Sequence, residues 1–129
     1  MNRLCGGLVA TITVLAMAGC GSSGLVTPTT VSVVSAEELT LGADAYRQFC
    51  ADCHGEDVRG TDKGPSFLSQ VYEPNHHADA AFQLAVQRGS PQHHWNFGDM
   101  PPVEGIAPDE LEAIVTYVRG VQAELGFID

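Results

Sequence analysis

From Ser35 onward the apolar residues of this chain recur at helical spacing, and nowhere do they alternate as a half-buried strand requires. This restricts the fold to packed helices. Ser35-Ala36-Glu37-Glu38 has the form of a capping box, with Leu39, Tyr46, Phe49 and Cys53 following on one stripe and Gly55 placed as a terminator. The pattern predicts a first helix running to about Cys53. A second is expected over Ala78 to Arg88, with Ala81, Phe82, Ala85 and Val86 on one face, Asp79 in the first turn and Gly89 as the stop. The third expected helix runs from Pro108 to Leu125. It has Pro at its start, Asp109 and Glu110 in the first turn, and Leu111, Ile114, Val115, Val118, Val121 and Leu125 on a single stripe before Gly126. The sequence thus describes one all-α domain over residues 37–129, and 129 residues leave no room for a second domain of ordinary size.

Two stretches between the helices, Glu56 to Asn75 and Ser90 to Ala107, are longer than helix connectors need and rich in Gly, Pro and Asp. Three helices in a domain of about 90 residues bury little core, so something else must fill the middle. Cys50-Ala51-Asp52-Cys53-His54 supplies a reason, because C-x-x-C-H is the attachment pattern of c-type haem. Two thiols three residues apart at a helix end can each add to one vinyl group of a porphyrin, and the histidine next in the chain then reaches the iron. Other chemistries fit less well. A redox-active dithiol opens a helix after a strand, whereas this pair closes a helix. A zinc site built from the two cysteines and downstream histidines leaves His54 unexplained, and a plain disulfide leaves the core undersized.

Over roughly residues 37–125 the chain resembles the class I cytochrome c family. Cys50, Cys53 and His54 match the haem attachment residues of that family, and Gly55 matches the glycine that commonly follows. Gly64-Pro65 is similar to the family's Gly-Pro pair, in which the proline carbonyl accepts the hydrogen bond of the ligating imidazole. Gly42 and Tyr46 resemble the small and aromatic positions at which the first helix crosses the last, and Tyr117 the aromatic on the other side. Met100, in Gly98-Asp99-Met100-Pro101-Pro102, resembles the axial methionine. The resemblance implies a small helical domain wrapped around one covalently bound haem c, with His54 and Met100 on the iron. It also implies a carrier of single electrons between respiratory or other redox partners rather than an enzyme, either free-standing or as a subunit of a redox complex. A thioether ligand favours ferrous iron.

His76-His77 and His93-His94 depart from a minimal cytochrome pattern. Each pair reads first as solvated loop. Three functional readings stand beside that: an axial ligand in place of Met100, a second metal such as copper, or a pH-dependent docking face. These residues also keep two rival functions open. One is a peroxidase-like haem enzyme or sensor with an open or His-lined distal site, and the other is a copper-binding module using the histidines and Met100. Trp95 and Phe97 are read as apolar walls of the crevice.

The chain begins with Asn2 and Arg3, then an apolar run from Leu4 to Gly19 that is too short and too interrupted for a comfortable membrane span. It ends in Leu15-Ala16-Met17-Ala18-Gly19-Cys20, which resembles the lipobox of bacterial lipoproteins. That resemblance implies a signal peptide over residues 1–19 and lipidation of Cys20. Residues 20–36, rich in Gly, Ser, Thr and Val, then read as a flexible linker. The expected location is the outer face of a bacterial membrane, on the periplasmic or cell-surface side, held by the lipid anchor. Six Lys and Arg against sixteen Asp and Glu, a formal charge of −10, argue against nucleic acid as a partner. Redox partners should instead present a basic docking face.

Overall fold

The structure is a computed structural model in which residues 34–129 are described. The expected signal peptide, Cys20 and all but the end of the linker lie outside the described residues. Four α-helices and one 3-10 turn make up the domain, in the order α1 (Ala36–Phe49), α2 (Ala51–His54), the turn Gln70–Tyr72, α3 (Asp79–Arg88) and α4 (Pro108–Glu124). Among the described residues there is no strand, and no helix is long and apolar enough to cross a membrane.

The ends of these helices follow from local chemistry. Ser35 Oγ accepts the Glu38 amide at 3.1 Å to start α1, and the Glu110 carboxylate accepts the Ala107 amide at 2.9 Å to start α4. Gly89 stops α3 with φ at 75°, a left-handed value that favours glycine. The first helix, expected to continue to Cys53, is broken instead. Cys50 leaves helical geometry at φ −123°, although its amide still reaches the Tyr46 carbonyl at 2.8 Å, and α2 begins as a new turn. Apolar periodicity persists through such a break, so a stripe alone does not reveal it.

α1 and α4 form the packed frame of the domain. Gly42 sits directly against the backbone of α4, where a β-carbon would collide with the Ala113 carbonyl and come within 2.9 Å of Tyr117 Cβ. Beside it Tyr46 is almost wholly buried, 5.4 Å from the Tyr117 ring and 6.2 Å from Phe67. Ile114, Val115 and Val118 complete this core. Two members of the expected stripes lie outside it: Leu125 is 51% exposed and Leu39 37%. Gln122 is fully buried in their stead, its amide donating to the Phe67 carbonyl at 2.7 Å. A buried amide is acceptable when bonded, and here it ties the first long loop to α4.

Candidate functional site

The α2 turn and the loop after it form one hydrogen-bonded unit. Gly60 N–H donates to the His54 carbonyl at 2.7 Å, Thr61 Oγ1 to the Cys53 carbonyl at 2.7 Å, and Phe67 N–H to the Val58 carbonyl at 2.9 Å. Gly64 lies so close to Cys53 that a β-carbon would stand 2.9 Å from its carbonyl oxygen. The loop is thereby folded back beneath the turn, bringing the Pro65 carbonyl 2.9 Å from His54 Nδ1. A carbonyl only accepts, so Nδ1 carries the proton and Nε2 keeps its lone pair. Burial lowers the His54 pKa below its ordinary value, against the bond to Pro65, and favours the neutral ring. Phe67 stacks on that ring at 4.3 Å and 21°.

Cys50, Cys53, His54 and Met100 line one cavity of about 520 Å³. Its walls come from every helix, with Phe82 and Val86 of α3 and Leu111, Ile114 and Val118 of α4 among them. The size is that of a cofactor cleft. Both cysteines are free thiols, and burial together with Cys53 pushes the Cys50 thiol up to about 11.

Met100 arrives from the opposite end of the sequence. Its amide donates to the Ser90 carbonyl and its carbonyl accepts from the Ser90 amide, both at 2.9 Å, an isolated antiparallel bridge that pins the loop to the end of α3. Val103 N–H adds a bond to the Val86 carbonyl at 2.8 Å. Within the loop, the Asp99 carboxylate accepts the Gln92 amide at 2.8 Å and the Gln92 side chain accepts the Gly98 amide at 2.7 Å. Met100 is thus held at a loop end by backbone bonds rather than by helix packing.

The chain can therefore offer two thiols, an imidazole nitrogen and a thioether sulfur to a single apolar-walled cleft. A model of the family described as Cytochrome c matches residues 39–122. The chain belongs to the cytochrome c family. No curated protein matches the sequence. Membership accounts for the all-α fold and identifies the cofactor as covalently attached haem c, and it supports a haem c electron carrier. The donor set fits that group: the cysteines are unpaired, the His54 tautomer leaves Nε2 for a metal, and the walls are apolar.

The two histidine pairs are solvated, with His76, His93 and His94 exposed and His77 half-buried, but they are not apart. His76 and His77 lie just before α3, His93 and His94 lie in the loop ahead of Met100, and the pairs meet, with His76 Nε2 3.3 Å from His94 Nε2. Trp95 stacks on Tyr72 at 5.8 Å and 14°, and both it and Phe97 line the cavity, as expected of crevice walls. Arg119, on no apolar stripe, was not singled out by sequence. It is a structural clasp, with Nε 2.8 Å from Asp79 Oδ1, Nη1 donating to the Tyr72 carbonyl at 2.6 Å and Nη2 to that of His77. Neither the Ser90 bridge nor the Phe67 stacking has a local pattern in the sequence.

Proposed function

We propose that this cytochrome c is a membrane-tethered monohaem carrier of single electrons, with haem attached through Cys50 and Cys53 and its iron held by His54 and Met100. The observation that carries the reading is the convergence on one cavity of these four side chains, His54 arriving with its Nδ1 proton already committed to Pro65. When bound, the haem supplies a one-electron iron couple. The protein's part is to hold ligands and exclude water.

The Pro65 carbonyl orients the His54 ring and raises its donor strength. The Ser90 bridge fixes the backbone of Met100, which limits how far its side chain rearranges between charge states. The apolar walls would keep solvent from a bound metal. With His54 and Met100 both holding the iron, no position would be left there for substrate, and the role would be carriage rather than catalysis. Lipidated Cys20 is proposed as the anchor, holding the domain at the outer face of a bacterial membrane. A net charge of −10 favours a redox partner with a basic docking face.

The test is the optical spectrum of the matured protein, oxidised and reduced. A near-infrared charge-transfer band of methionine-bound ferric iron and no reaction with carbon monoxide are expected. Met100→Ala should abolish the band, lower the potential and admit carbon monoxide, while Cys20→Ser should release the protein from the membrane fraction. Covalent haem without the band would remove Met100 from the iron. It would favour a sensor or enzyme with a His-lined distal site, since His93 and His94 border the same cavity.

A further inference from the structure

Four imidazoles from two separate segments, His76-His77 and His93-His94, gather beside the cavity, which His77, His93 and His94 line. His77 Nδ1 is 2.6 Å from the Val71 carbonyl and His93 Nδ1 is 2.7 Å from that of Pro91. Both carbonyls can only accept, so in each neutral ring the proton is on Nδ1 and the lone pair on Nε2. These two Nε2 atoms face each other at 3.5 Å, with no hydrogen between them. Two lone pairs so placed can share a cation. A proton is satisfied by two nitrogens, yet more converge: ring nitrogens of His76, His77 and His94 all lie within 4.8 Å of one another, and His76 Nε2 is 3.3 Å from His94 Nε2.

We propose that His76, His77 and His94, with His93 adjoining them through His77, form a site for a divalent transition-metal ion of the zinc class, separate from the haem iron. Zinc about 2.0–2.1 Å from each of two nitrogens at the tetrahedral angle holds those nitrogens about 3.3 Å apart, close to the two spacings seen here. The bonds from Nδ1 of His77 and His93 to backbone carbonyls are the outer contacts that orient metal-ligating imidazoles. Both pairs are also fixed before any ion arrives. Arg119 holds the Tyr72 and His77 carbonyls from α4, and Gln92 and Asp99 close the loop around the second pair. An ion here ties the segment ahead of α3 to the loop that ends in Met100. The proposal rests on the reading above that none of these four imidazoles is the sixth ligand of the haem.

The test uses the haem-loaded protein, in which Cys50 and Cys53 are blocked as thioethers. Titration with Zn²⁺ against a competing chelator, with metal analysis after dialysis, should show one zinc per chain beyond the haem iron. Amide hydrogen exchange over residues 91–99 should slow on loading. His77→Ala and His94→Gln should each weaken binding at least tenfold, with circular dichroism confirming that both variants fold. Absence of retained zinc, or the parent's affinity in both variants, would overturn the site. A change in the haem spectrum of His94→Gln would also overturn it, by making that imidazole an iron ligand.

Discussion

At the scale of single residues, a buried hydrogen bond helps to position the centre. Tyr46 donates its hydroxyl to the Gly55 carbonyl at 2.7 Å in a buried setting, joining the middle of α1 to the residue that follows His54. Burial, with smaller contributions from Cys50, Tyr117 and Asp57, pushes its pKa far above the usual tyrosine range, so the hydroxyl stays protonated and donates. Tyr46→Phe leaves the Gly55 carbonyl without that donor and should cost about 1–2 kcal/mol of stability, read from denaturant midpoints with an unchanged slope. Midpoints equal to the parent would mean that water or a shifted backbone replaces the bond.

At the scale of elements, helix ends and loop closures decide where ligands point. Gly89 ends α3 at φ 75°, and a β-carbon there would stand 2.6 Å from the Met100 carbonyl and 3.1 Å from the Pro102 ring. Gly89→Ala meets two obstacles, a backbone at φ 75° and ψ 176° that is essentially restricted to glycine and costs other residues about 1–3 kcal/mol, and a collision with the strand-like bridge that holds Met100. The expected result is a weaker methionine–iron band and a lower potential, with helix content retained by circular dichroism. A variant with the parent's band would show that Met100 is positioned by something other than the bridge. Arg119 works at the same scale: one planar guanidinium satisfies two backbone carbonyls and Asp79 while lying 4.9 Å from the Phe82 ring, a geometry that a lysine does not reproduce.

At the scale of the whole molecule, α1 crossed on α4 is the rigid frame and the two long loops close the cavity between them. The helices alone leave that interior undersized, which is why a haem suits so short a chain. The acidic surface acts at longer range. Association with a cationic redox partner should slow as ionic strength rises, because the field of a chain at −10 is screened over about 10 Å at 0.1 M salt. Stopped-flow rates across a salt series check this, and a salt-independent rate would mean that docking is not steered by charge.

Much of this was written locally in the chain. Helix starts at Ser35 and Pro108, stops at Gly89 and Gly126, and the C-x-x-C-H run depend on neighbours within a turn or two, so the sequence by itself determined an all-α domain and its cofactor class. The Gly42 contact was also legible, through the family pattern. Tertiary structure alone decided the rest. The break at Cys50, the burial of Gln122 in place of Leu125, the Arg119 clasp and the bridge that seats Met100 all depend on partners far along the chain or on backbone turns that periodicity does not record. The histidine pairs are the clearest case. Fifteen residues separate them in sequence, and only the folding of both loops over one cavity makes four imidazoles into a converging set, because proximity between loops follows from where their helices end.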